Sequence, residues 1–296
     1  MMPVIEGAKD LLAVLDAEPS ADTVEDMIAV QTLALGNKTA VVVTLTRPAQ
    51  HNALTLAGWQ RLGAVFTDLR DDPAVRVVIV RGAGGRAFGA GADISEFPAK
   101  RLGAAAADRY NAAIAVALHV IQSVPFPVIA MIEGLAVGGG CELATACDIR
   151  LASSGSRFGI PIGRLGVTLG LTETRAVVGL IGAANLKYLV YSGALATAEQ
   201  ALAWGLVQKV VEAGELSAET ARLAWNIVES SEVTVRATKQ ITALAADPAV
   251  TDGHELIREL HAQAYEGNDL REGVDAFLMG RTPKFTDGRI PAHGRA

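Results

Sequence analysis

Glu142 follows three consecutive glycines, Gly138, Gly139 and Gly140, in the stretch PVIAMIEGLAVGGGCELATACD from Pro127 to Asp148. The pattern reads as a buried strand, a tight glycine turn and a helix that opens at the glycines. The first N–H groups of a helix have no intrahelical partner and carry partial positive charge. Donors of this kind can hold a developing oxyanion, and a carboxylate in the same turn can move a proton. The pair suggests chemistry on a thioester or ketone. Removing one such donor typically costs a factor of about 10²–10³ in rate. The plainer reading of Glu142 is an acid that complements the helix dipole.

A second glycine-rich loop runs from Gly82 to Asp93. Gly82-x-Gly84-x-x-Ala87 after an apolar strand is formally a dinucleotide fingerprint. That motif needs a helix opening at its glycines. Here glycines continue to Gly91, and Pro98 blocks an immediate long helix. The better reading is a loop whose backbone approaches a ligand closely, as glycine permits.

The elements that must position these loops alternate. Ala8–Leu15 reads as a short helix. The apolar runs Ile28–Leu35 and Ala40–Leu45 flank Gly36-Asn37-Lys38 as a hairpin. Leu56–Asp71 is helical, with Trp59, Leu62, Phe66 and Leu69 at spacings of 3 or 4. Val75–Val80 is a β-branched strand. A long helix over 104–123 carries Ile114, Leu118 and Ile121 on one face. Val128–Ile132 and Ile149–Ala152 are strands, with a short helix Cys141–Ala146 between them. Thr174–Ile181, Ala184–Ser192 and Ala198–Trp204 are helices, Val207–Val211 a strand, and the chain is helical from Leu216 to Met279. Alternating strands and helices imply an α/β fold with both sheet faces covered. The expected organisation is an N-terminal extension over 1–27, a core over 28–214 and a helical lid or partner surface over 215–296.

Composition narrows the function. The chain has 296 residues, half of them hydrophobic, and a net charge of −6. With no basic run and few aromatics, nucleic acid is an unsuitable partner. The cysteines, Cys141 and Cys147, are too few for a metal cage and read as small buried residues in a reducing compartment. Glu6, Lys9, Asp10 and Asp16 stand where a signal peptide needs an apolar run. Tyr110–Ile132 is uncharged and long, but Pro125 and Pro127 cut it, so no membrane span is expected. The expectation is a soluble, cytoplasmic protein.

With these residues in view, the chain resembles the enoyl-CoA hydratase/isomerase (crotonase) superfamily. Arg81-Gly82 and Ala87 to Ile94 are similar to its first signature. Pro127 to Ala130, Glu133-Gly134, Gly138 to Ala144 and Cys147-Asp148 are similar to its second. Arg47-Pro48 with Asn52-Ala53-Leu54, Phe158-Gly159 with Pro161, Ala201 with Gly205 to Val207, and Glu272-Gly273 with Ala276-Phe277 fall where the family has equivalents. The match covers residues 28–285, in order. The resemblance implies an α/β fold, a spiral core of repeated ββα turns with a C-terminal helical region, assembled as trimers or dimers of trimers. It implies acyl-CoA thioester substrates with no metal or redox cofactor. Ala92 N–H and Gly139 N–H would form the oxyanion hole, with Glu142 moving the proton. Ala90, Asp93 and Ile94, with Phe88 and Gly138 beside them, would line the CoA channel. Ala49, Gln50 and His51 would flank the nucleotide. The family often has lysine where Ala49 stands, which leaves Arg47 or Arg86 to help with phosphate.

The resemblance fails at one informative place. Typical hydratases carry a second glutamate after Phe-Gly-x-Pro, and here that position is Ile162. Two carboxylates can hold a water between them, whereas one holds it less firmly. General acid–base help is worth about 10²–10⁴ per group. Downstream, Gly170 and Glu173 occupy a stretch that is often glycine-rich in hydratases. Glu173 could reach the pocket from a helix start, although an acid that pairs with Arg175 or complements the dipole is the commoner role. Arg164 is a candidate for holding a carboxylate-bearing substrate. The leading expectation is a hydratase-like lyase working through an enolate. Isomerisation, decarboxylation or thioester cleavage follow it, and then an acyl-CoA binder with little catalysis.

Overall fold

The computed structural model describes residues 8–19, 24–25, 27–247, 250 and 252–286. The chain opens with helix α1 (Lys9–Asp16) and strands β1 (Val24–Glu25), β2 (Ile28–Leu35) and β3 (Lys38–Leu45). The β2–β3 hairpin pairs Leu35 with Lys38, so the turn is the two residues Gly36-Asn37, with Gly36 at φ 68°. Helix α2 (Leu56–Arg70) follows, its Thr55 hydroxyl accepting from Gly58 N–H. Then come β4 (Val75–Gly82), β5 (Ala87–Gly89), the single turn α3 (Phe97–Lys100) and α4 (Ala104–Ser123). The unit repeats as β6 (Val128–Ile132), β7 (Leu135–Val137) and α5 (Gly139–Ala146), and again as β8 (Ile149–Ser153), β9 (Arg157–Gly159) and α6 (Leu171–Ser192).

These repeats build two sheets at once. The first strand of each pair (β4, β6, β8) adds in parallel to a seven-stranded sheet, and the second (β5, β7, β9) to a four-stranded one. The expected repeated ββα core is therefore present. The strands β5, β7 and β9 lie outside the strands read from sequence, because three-residue strands carry no measurable alternation. Strand β10 (Ala196–Thr197), α7 (Ala198–Ala203), β11 (Lys209–Val211) and the helices α8 (Leu216–Glu229), α9 (Glu232–Ala246), α10 (His254–Glu266) and α11 (Asn268–Met279) complete the order. Thr197 and Gln200 form a reciprocal capping box on α7. The two helices expected over 174–192 are present within Leu171–Ser192, separated by a kink at Gly182, whose φ of 74° and ψ of 160° are not helical.

The large sheet is buried on both faces, and its strands show it by alternation. Val41, Val43 and Leu45 of β3 and Val78 and Val80 of β4 enter the main core between sheets and helices. Ala40, Val42, Val77 and Ile79 enter a second core with Leu11 and Leu15 of α1 and Leu216, Ala221, Ala224 and Val228 of α8. Arg81 on β4 is buried and donates to the carbonyls of Leu15 and Ala17, which fixes the end of α1 to the sheet.

Candidate active site

The two glycine loops meet at the start of α5. Gly138 sits at φ 56° and ψ −129°, a conformation for glycine, and its carbonyl accepts from Cys141 N–H and Glu142 N–H. A side chain at Gly140 would run into the carbonyl oxygen of Gly89, and one at Gly91 into the backbone nitrogen of Gly139. The glycines thus let the end of β5 lie directly on the first turn of α5. Gly140→Ala should therefore destabilise the protein by at least about 1–3 kcal/mol, the usual range for overpacking. A thermal midpoint within 2 °C or so of wild type would contradict this close approach.

The first loop is held just as firmly. Leu54 N–H donates to Gly91 O at 2.7 Å, and Asp93 N–H to Leu54 O at 2.8 Å. The Asp93 carboxylate accepts from Arg47 Nη1 at 2.7 Å and Ser95 Oγ at 2.7 Å. These bonds, first Ser95 and then Arg47, hold its pKa below the ordinary value. Neither Ala92 N–H nor Gly139 N–H donates a hydrogen bond within these loops and turns. Both residues line one cavity of about 440 Å³.

Glu142 also lines that cavity and is 7% exposed. Burial raises its pKa to about 7, aided by the charge of Glu173 and opposed by that of Arg101. Glu173 lines the same cavity and is 8% exposed. It stands in the first turn of α6, whose N-cap is Gly170. A side chain on Gly170 would strike the Glu173 carboxylate, so the glycine leaves that carboxylate its place. No ion pair joins Glu173 to Arg175 among the described residues. The helix begins at Leu171 rather than Thr174, so Glu173 stands in its first turn, where it complements the helix dipole, and lines the cavity as well.

Of the residues singled out from sequence, Ala90, Ala92, Ile94, Gly138, Gly139, Glu142, Ile162, Gly170 and Glu173 line this cavity. Ala49, Gln50 and His51 form a separate outer loop; Ala49 and Gln50 are exposed, and His51 adopts a left-handed backbone. Phe88 is fully buried in the main core rather than on the cavity wall. Asp93 faces Arg47, which is thereby engaged. Arg164 lies against Gly193 at the end of α6 and is not part of the wall. Sequence reading missed Arg101, Asp108 and Asn111, which do line it. The signal for part of that wall was present: Asp108, Asn111, Ala112 and Ala115 share one face of α4 by helical spacing.

Among the described residues no group of histidine, cysteine and acidic side chains could hold a metal ion. No described helix is long and apolar enough to cross a membrane.

The geometry can be set beside known proteins. The sequence profile named enoyl-CoA hydratase/isomerase matches residues 36–288. The chain belongs to the enoyl-CoA hydratase/isomerase family. It is 33% identical over 244 residues to the crotonyl-CoA hydratase of Syntrophomonas wolfei, covering 82% of this chain and 93% of that one. It is 33% identical over 255 residues to the (E)-benzylidenesuccinyl-CoA hydratase of Thauera aromatica, covering 86% and 98%. Among solved structures, an enoyl-CoA hydratase/carnithine racemase from Magnetospirillum magneticum superposes with a TM-score of 0.83 at 35% identity, covering 90% of this chain and 97% of that one. Membership of the family makes this chain a hydratase/isomerase-type enzyme of crotonase fold.

Proposed function

We propose that this enzyme hydrates 2-enoyl-CoA thioesters through an enolate. The observation that carries the reading is the second carboxylate. Glu173 reaches the cavity from α6 and acts electrostatically on Glu142, although Ile162 occupies the family's usual place for that acid. Burial, and after it the charge of Glu173, raises the Glu142 pKa to about 7, so near neutral pH Glu142 is present both with and without its proton. Hydration needs one protonated and one ionised carboxyl at the site.

The thioester oxygen accepts from Ala92 N–H and Gly139 N–H. The ionised carboxylate takes a proton from water as the water oxygen bonds to the β-carbon. The electrons of the double bond move to the α-carbon and thioester oxygen, giving the enolate that the two N–H groups hold. The neutral carboxyl then delivers its proton to the α-carbon. Water has been added across the double bond, and the pair again holds one proton. The chain's own groups supply every step; the CoA thioester is substrate, and no metal or redox cofactor enters.

Isomerisation is the second reading, since proton transfer along an acyl chain needs no bound water. Incubation with crotonyl-CoA and with 3-butenoyl-CoA separates the two. Formation of 3-hydroxybutyryl-CoA from crotonyl-CoA is expected. Conversion of the 3-enoyl ester to crotonyl-CoA without hydration of either would overturn the hydratase reading.

The same reading extends to assembly and location. Phe277, Leu278 and Met279 at the end of α11 are largely exposed, and such an apolar patch supports a homotrimer or dimer of trimers. Free, buried Cys141 and Cys147 suit the reducing cytoplasm.

A further inference from the structure

One wall of the cavity carries a charge that a hydrocarbon chain could not use. Arg101 follows α3 and lines the cavity with Asp108 and Asn111 of α4; apolar groups such as Ile114 of the same helix and Val137 of β7 line it as well. Its guanidinium lies 4.8 Å from the ring centroid of Phe97 and 4.9 Å from that of Tyr110. Nη2 donates to Asn111 Oδ1 at 2.6 Å. Two rings and an amide thus hold the fork in one orientation. Yet Arg101 enters no salt bridge among the described residues. Burial disfavours its charged form, and the charge on Glu142 offsets this in part.

A partly desolvated guanidinium with no carboxylate partner is a receptor for a planar anion with two oxygens. If Arg101 served only to keep Glu142 ionised, a direct ion pair would do so. Instead its effect on Glu142 is smaller than those of burial and Glu173. We propose that Arg101 selects 2-enoyl-CoA esters whose acyl group carries a second carboxylate. The reaction named rests on the hydratase reading; the binding preference does not. Asp108, which also faces the cavity, is exposed, and its charge is screened by water. Glu142 and Glu173 line the same cavity and repel an incoming anion, so the native preference measures whether Arg101 outweighs them.

The test compares glutaconyl-CoA, a five-carbon 2-enoyl ester ending in carboxylate, with crotonyl-CoA. The enzyme, Arg101→Gln and Arg101→Lys are each assayed for kcat/KM on both. The native enzyme should prefer glutaconyl-CoA. Arg101→Gln should lower that value about 10- to 100-fold more than the crotonyl value, the usual scale for a charged hydrogen bond, and Arg101→Lys should recover part of the difference. Binding of the saturated esters glutaryl-CoA and butyryl-CoA, measured by calorimetry, should show the same preference. Equal losses on both esters, or a native preference for crotonyl-CoA, would overturn the proposal. If neither enoyl ester is hydrated, the hydratase reading fails, and the glutaryl/butyryl binding ratio still decides the role of Arg101.

Discussion

Glu142→Gln should lower kcat on crotonyl-CoA by about 10²–10⁴, with butyryl-CoA bound within a few-fold of wild type. Glutamine keeps the shape of the side chain and loses the proton. The Ala92 and Gly139 N–H groups, and hence the site for the thioester oxygen, are untouched by the change. A loss smaller than tenfold would remove Glu142 from the chemistry. The same variant carries a second, opposite effect on stability. Glu142 has its pKa raised from 4.5 to about 7, chiefly by burial. A raised carboxyl pKa means that the folded chain binds the proton more tightly than the unfolded one. The stability this confers is fully present below about pH 4.5 and is lost as pH rises through 7. The shift corresponds to a loss on the order of 3 kcal/mol. Glutamine never ionises and escapes it. Thermal unfolding should therefore show Glu142→Gln gaining on wild type at pH 8, with a smaller difference at pH 5. A variant that is inactive and more stable at pH 8 would mark Glu142 as a group retained for catalysis at a cost to the fold.

How much of this could be read from the chain depends on the range of the signal. Gly138 to Gly140 followed by Glu142 is local: the glycines open a helix at Gly139 and bring the acid into its first turn. The hairpin over 28–45 and the long helix over 104–123 were legible for the same reason, since turn residues and periodicity act within a few residues. Glu173 was legible as a candidate, but its sequence left the cavity role and the helix-dipole role both open. Its position depends on where α6 begins and on Gly170 leaving room for it. The dipole argument for an exposed helix acid fitted the local sequence equally well. Arg101 left no local sign at all. What makes it a cavity residue is packing against Phe97 and Tyr110, set by the way α3 turns back onto α4. A lone arginine between a single helical turn and a long helix looks like any surface residue.

Removing the other carboxylate tests the pair itself. Glu173→Gln should cut hydration of crotonyl-CoA by about 10²–10⁴ as well, because one group then has to serve as both base and acid. Its distinguishing mark is the pH profile. The charge of Glu173 is the second cause of the raised Glu142 pKa, after burial. Its removal should move the acid limb of kcat/KM toward lower pH, although burial keeps the remaining group above the ordinary carboxylate value. A merely structural role for Glu173 would lower activity without moving that limb. The position of Ile162 supplies a further check, since Ile162 lines the same cavity and stands where related hydratases carry their second glutamate. If a carboxylate opposite Glu142 is what hydration requires, Ile162→Glu placed in the Glu173→Gln background should return part of the lost turnover. Failure of that rescue, with the pH limb unmoved in the single variant, would mean that Glu142 acts alone and would favour isomerisation over hydration.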